Sequence, residues 1–178
     1  YEFKAGLNAY FASRGDAAPV KSLAELIAFN ERHADRELKF FGQETLIEAQ
    51  AKGPLTESRY LEALAQCRKV CRKDGIDGVM DQHRLDALVA PTTGPAHAIE
   101  LLAGDGGLGS SSSIAAVAGY PSITLPAGMI FGLPIGLSFF GRAWSEGKLI
   151  GLAHAFETAA PARRTPRFLP SFDEVSKG

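Results

Sequence analysis

The sequence predicts an α/β protein, with helices filling its first half and short strands entering in its second. Three observations predict this. Residues 1–84 carry apolar side chains at helical spacing between start and stop signals. Segments 121–127 and 134–140 alternate apolar with small or polar residues, the period of a half-buried strand. A strand, a helix and another strand follow one another from Leu85 to Ala127, the order of an α/β unit.

The elements can be justified in chain order. A first helix from Tyr1 to about Ser13 places Phe3, Leu7, Tyr10 and Phe11 on one side. Small residues and Pro19 make a loop over 15–20. Ser22-Leu23-Ala24-Glu25 is a capping box, in which a hydroxyl and a carboxylate take up free N–H groups at a helix start. A short helix through Leu26, Ile27 and Phe29 follows. The next helical stretch runs from Asp35 to Ala51, with a break at Gly42, and Gly53-Pro54 ends it. Thr56 or Ser58 caps a longer helix to about Lys73, closed by Gly75. Cys67 and Cys71 fall on its apolar stripe with Tyr60 and Leu64 and are expected to be buried thiols.

Leu85 to Ala90 reads as a buried strand stopped by Pro91, and a loop rich in Thr, Gly and Pro runs on to Gly109. Ser110 to Gly119 reads as a short helix of small residues. In the strand 121–127, Ile123 and Leu125 share one face and Ser122 and Thr124 the other. In the strand 134–140, Ile135, Leu137 and Phe139 go together, and 128–133 joins the two strands as a hairpin. Gly and Ser at strand positions point to close backbone approach. Ser145 opens a last helix with Leu149, Leu152, Ala153 and Phe156 as its stripe. Three strands make a thin sheet, so further strands are expected from outside the chain.

Composition bounds the function classes. The 178 residues suffice for one domain with a core. With 46% hydrophobic and 22% charged residues and a net charge of −1, nothing marks a nucleic-acid partner. No apolar stretch is long enough to span a membrane. The opening Tyr1-Glu2-Phe3-Lys4 has no initiating Met and reads as the middle of a longer protein. A soluble protein is expected, with the cytoplasm the favoured compartment.

Four features carry candidate chemistry. Glycines at 104–109 lead into Ser110-Ser111-Ser112-Ser113 and a helix, but no Lys completes a phosphate-binding loop. The commoner use of such serines is a helix N-cap. A serine nucleophile needs a base in reach, and none of His33, His83, His97 and His154 is set beside the run. No metal-ligand spacing occurs. The Pro91-Thr92-Thr93-Gly94-Pro95 loop follows the end of a strand, where ligands of open α/β sheets bind. It is either substrate-facing or a proline-fixed connection. Arg142, Arg163, Arg164 and Arg167 form a basic run read as a solvated tail.

Together, three ordered segments resemble the amidase signature family. Leu85-Asp86-Ala87-Leu88-Val89-Ala90-Pro91-Thr92-Thr93 is similar to its D-x-L-v-x-P-t strand and loop. Ala115 to Gly128, with Ala118-Gly119-Tyr120-Pro121 inside it, resembles its A-G-x-P segment. Gly132 to Gly141 resembles its G-L-P-x-G segment. The helical first half resembles the bacterial peptide-amidase branch.

The resemblance implies a mixed-sheet α/β/α fold, of which this chain is the C-terminal portion of a single domain. Residues 1–84 would be mainly helical, 85–160 sheet and covering helices, and 161–178 a tail. It further implies hydrolysis of carbon–nitrogen amide bonds, including peptide C-terminal amides, by a Ser–cis-Ser–Lys triad through a serine acyl-enzyme, with no cofactor and no metal. The triad belongs to the family's N-terminal half and matches nothing here, so no catalytic residue is carried over and the chain alone is expected to be inactive. Its partners would be a small-molecule or peptide amide and the N-terminal half of the same protein. Thr92 and Ser112 are carried over as substrate-binding residues. Relatives acting on glutaminyl substrates place an Asp where Gly109 stands, which argues against reading a free amino-acid ammonium. The alternatives are a non-catalytic binding or scaffold module of amidase-like shape, and a transamidating subunit.

Overall fold

A computed structural model describes residues 1–97 and 109–168. The glycine run at 104–108 and the last ten residues of the expected tail lie outside them. The chain divides into two compact units, Tyr1–Leu64 and Ala65–Gly178.

The first unit is helical. Helix α1 spans Glu2–Arg14, α2 Leu23–Arg32, α3 Ala34–Glu37 and α4 Glu44–Gln50. The capping box at Ser22 forms as expected on one side: its hydroxyl accepts the Glu25 N–H at 3.2 Å. The Glu25 carboxylate instead accepts the N–H of Lys21, one residue earlier than the cap itself. Leu23 is fully buried, and its N–H donates to Asn8 Oδ1 at 2.9 Å. The break around Gly42 is held by buried Gln43, which donates to the Ile27 carbonyl and accepts from Asn30, both at 3.2 Å. Lys4 Nζ donates to the Gln50 and Lys52 carbonyls, placing a cation at the C-terminal end of α4.

Helix α5 spans Ser58–Arg68, and the Glu57 carbonyl accepts the Leu61 N–H. Ser58 is therefore the first helical residue rather than the cap. From Lys69 to Ile76 the backbone is π-helical, and Gly75 leaves helical geometry altogether (φ −102°, ψ −108°). The expected stop at Gly75 is thus a kink, beyond which α6 continues from Asp77 to His83. The wider π turn also corrects the expectation for the cysteines. It shifts the face on which an i, i+4 partner falls. Cys67 is exposed, and only Cys71 packs against the core.

The second unit is built on a three-stranded antiparallel sheet in the order β1-β3-β2. Strand β1 is Leu88–Pro91, β2 Ser122–Ile130 and β3 Leu133–Phe140. β1 starts three residues later than expected because α6 ends in a Schellman closure, with Arg84 left-handed and the Leu85 N–H donating to the Met80 carbonyl. Nor is β1 buried. Among the described residues it pairs with β3 alone, and Val89 is half exposed. The hairpin is tighter than expected. Its turn is Phe131-Gly132 alone, both at positive φ (49° and 78°), as a two-residue type I′ turn requires. Residues 128–130 belong to β2, and a bulge between Pro126 and Gly128 adjusts the register.

Alternation sorts the sheet's two faces as expected. On one, Ile123, Leu125, Leu137 and Phe139 meet Leu149, Ala153 and Phe156 of helix α8, which spans Glu146–Ala159. Leu152, expected in that stripe, is more than a third exposed. On the other face Leu88, Ala90 and Phe140 meet Ile76, Met80 and the small residues Ala115 and Ala118 of α7, which spans Ser112–Ala118. The second unit is thus a sheet with helices on both faces. α7 ends in a second Schellman closure at left-handed Gly119, with the Tyr120 N–H bonded to the Ala115 carbonyl.

Candidate functional site

Thr92 lies just past β1. Its N–H continues the ladder to the Gly136 carbonyl at 2.8 Å. Its hydroxyl meets Ser138 Oγ at 2.8 Å and also bonds Thr124 Oγ1, so one hydroxyl from each of the three strand segments gathers on the α7 face. Thr124 Oγ1 lies 3.3 Å from the Leu137 carbonyl, which can only accept. In the bonds among Thr92, Thr124 and Ser138 either hydroxyl can be the donor. Ser138 is 3% exposed, and this chain is what satisfies it. Gly136 makes room for it: a Cβ at that position would stand 2.7 Å from Thr92 Oγ1 and 3.1 Å from Thr124 Oγ1.

The Thr92 carbonyl faces the serine run. It accepts the Ser111 N–H at 3.2 Å and the Ser110 hydroxyl at 3.1 Å. A bridge between Thr93 and Ser110 and a bond from Thr93 Oγ1 to the Gly109 carbonyl complete the seam. Ser110 Oγ also lies 2.8 Å from Ser112 Oγ and accepts the Ser112 N–H at 3.2 Å. The structure therefore joins Thr92 and Ser112 through Ser110, which sequence reasoning treated only as part of a helix start. The available signal was the Ser-x-Ser spacing, since a serine hydroxyl reaches the N–H two residues on.

The N-cap expectation is corrected at the same place. Ser111 occupies the cap position and makes no capping bond. Its Oγ is buried with no hydrogen-bond partner among the described residues. Ser145 likewise precedes α8 without capping it, its hydroxyl donating to the Arg142 carbonyl. Arg142 itself does not belong to a free basic run: it pairs with Asp81 at 2.7 Å and Asp77 at 3.7 Å.

Asp77 also accepts the Tyr120 hydroxyl at 2.7 Å. That bond, with some burial, raises the Tyr120 pKa above the ordinary phenol value. Arg72 stacks over the same ring and donates to the Ala118 carbonyl, so the C-terminal end of α7 is tied to the π segment. Exposed Asp86 pairs with Lys148 at 2.5 Å, and this hydrogen bond and charge lower its pKa. His83, His97 and His154 are exposed and make no hydrogen bond to the serine run among the described residues, and His33 bonds the Phe29 carbonyl. No group of three metal-ligating side chains occurs among the described residues.

Three ordered segments carried the resemblance, and comparison with known proteins decides it. The Amidase family model matches residues 4–150. The chain belongs to the amidase family. A probable amidase of Arabidopsis thaliana is 38% identical over 171 residues, covering 94% of this chain and 30% of the plant protein. The structure of a native peptide amidase from Stenotrophomonas maltophilia superposes with a TM-score of 0.84 at 51% identity, covering 94% of this chain and 33% of that one. The peptide amidase PAM, solved with the competitive inhibitor chymostatin, gives 0.87 at 53% identity, over 94% and 34%. This amidase chain therefore spans about a third of the length of the relatives it matches. No helix among its described residues is long and apolar enough to cross a membrane.

Proposed function

We propose that this chain is the C-terminal part of an amidase that hydrolyses carbon–nitrogen bonds, including the C-terminal amides of peptides. The observation that carries the reading is its 53% identity, over 94% of its length, to a peptide amidase. In this reading a Ser–cis-Ser–Lys triad outside the 178 residues attacks the amide carbonyl, releases the amine and passes the acyl group to water. The reading calls for no cofactor. The present residues supply part of the sheet, its covering helices and one wall of the substrate pocket, as the C-terminal portion of a single domain. Ser112 borders that pocket with its hydroxyl. Thr92, whose own hydroxyl is engaged within the sheet, borders it chiefly by holding the serine segment.

Ammonia release from peptide amides tests the proposal, with the full-length protein and the 178-residue chain assayed side by side. Release by the full-length protein alone is expected. Turnover by the short chain would sink the claim that the nucleophile lies elsewhere. An inert full-length protein would sink the hydrolase itself.

A further inference from the structure

The first unit holds a cleft of about 330 Å³, at the lower end of the range that small-molecule sites occupy. Tyr1, Lys4 and Asn8 line it from the start of the chain and one face of α1. The Gly53-Pro54-Leu55 turn after α4 lines it from a second segment. Tyr1, Pro54 and Leu55 make its surface largely apolar, and Lys4 and Asn8 bring hydrogen-bond donors to it.

Both donors have protons that no described group takes up. The Lys4 ammonium has three protons and no acceptor. Two of them go to the carbonyls of Gln50 and Lys52, at 2.9 and 2.6 Å. Those partners are neutral, and no carboxylate pairs with Lys4 among the described residues. Its charge is therefore uncompensated and its third proton unclaimed. Asn8 is held in one orientation, because its Oδ1 accepts the N–H of buried Leu23 at 2.9 Å. A backbone N–H can only donate, so the Asn8 amide is not reversed and Nδ2 keeps both its protons. Nδ2 has no partner among the described residues. Lys4 and Asn8 stand four apart in α1, which makes their side chains neighbours on the helix surface.

The surrounding charges favour an anion. Lys52 adds a second cation, its Nζ 5.8 Å from the centre of the Tyr1 ring, and that ring packs against Tyr60 at 5.5 Å. Of the acids on these segments, Glu2 accepts the Tyr60 hydroxyl at 2.7 Å. Glu57 lies over Gly53, where a Cβ would collide with its carboxylate.

We propose that this cleft binds a small monocarboxylate with a short apolar group. One carboxylate oxygen takes the third proton of Lys4 and the other takes a proton of Asn8, while the apolar group rests on Pro54 and Leu55. A carboxylate fits because it has two acceptor oxygens and no proton of its own to place. An ammonium would set donor against donor, and a neutral hydroxyl would leave the Lys4 charge unmatched. The inference goes beyond the amidase reading and stands on residues of the first unit alone.

Titration calorimetry of the full-length protein tests it, with isovalerate as the probe and isopentyl alcohol and isopentylamine as its neutral and cationic counterparts. Isovalerate is expected to bind at least about tenfold more tightly than either. Asn8→Asp keeps the acceptor for the Leu23 N–H and replaces the donor by a carboxylate oxygen, so it should weaken isovalerate by about tenfold or more without unfolding the helix pair. Lys4→Gln should weaken it to a similar degree. Glu57→Gln removes the opposing acid and should tighten binding by about twofold.

Isovalerate affinity that is unchanged in both Asn8→Asp and Lys4→Gln would put the binding elsewhere and overturn the inference. So would an absence of isovalerate binding by the wild-type protein, or amine binding as tight as that of the acid. Ammonia release from peptide amides is scored separately on the same proteins. Its absence would overturn the amidase reading and leave this site standing.

Discussion

The Thr92 hydroxyl lies 2.8 Å from Ser138 Oγ across neighbouring strands, and a Cβ at Gly136 would intrude on it at 2.7 Å. Ser138 is 3% exposed, so its hydroxyl has no water to turn to if Thr92 is lost. Thr92→Val is therefore expected to destabilise the fold by about 1–3 kcal/mol, the cost of stranding a buried hydroxyl. Gly136→Ala should cost about 1–3 kcal/mol through overpacking. Because both act on one cluster, the double variant should cost less than the sum, which a double-mutant cycle in urea measures. Full additivity would argue against the shared cluster.

Tyr120 and Asp77 make stability sensitive to alkali. The Tyr120 pKa is raised in the folded state by its bond to Asp77 and by burial. A raised folded pKa means that its contribution is complete below the ordinary phenol value and disappears as pH climbs through the folded value. Thermal melts from neutral to strongly alkaline pH should show this loss in wild type. They should show a smaller alkaline slope in Tyr120→Phe, which is itself less stable at neutral pH.

Phe131 holds a left-handed backbone (φ 49°) at the hairpin tip and is 86% exposed. Asn adopts that conformation more readily, and Asn-Gly is the preferred type I′ pair. Phe131→Asn is expected to stabilise by about 0.5–1 kcal/mol, read from the urea midpoint. A loss would mean that Phe131 has a packing partner in the longer protein.

Ser22 caps α2 through the Glu25 N–H. Ser22→Ala should cost about 0.5–2 kcal/mol, and Ser22→Asp should recover most of it. Hydrogen exchange at Glu25 and Leu26 reads the effect locally.

The elements legible in the sequence are those whose signal is local. The Ser22 box, the alternation of Ile123 and Leu125 against Thr124, and the stop at Gly119 each depend on a few neighbouring residues. The misread elements depend on tertiary context or on atypical residues. Phe131 hid the tight turn because an aromatic is a poor advertisement for positive φ. β1 looked buried because its apolar run does not say that one side of the strand lacks a neighbour among the described residues. Cys67 looked buried because nothing in the spacing announces a π turn at Lys69. Thr92 was reached from its place at the end of a strand and from the family motif, and Ser112 from the family motif, whereas Ser110, the residue joining them, is marked only by its contacts in the fold. Its bond to the Thr92 carbonyl spans eighteen positions.

β3 lies between its two neighbours, and neither the outer side of β1 nor that of β2 has a strand partner among the described residues. On these described strands, two rows of backbone donors and acceptors are therefore left ready to template a fourth and a fifth strand. In a longer protein those rows would serve as seams for further strands. In the 178-residue chain on its own they are expected to make self-association compete with monomeric folding. Dilution, rather than cooling or salt, is then the condition under which the isolated chain can best be handled.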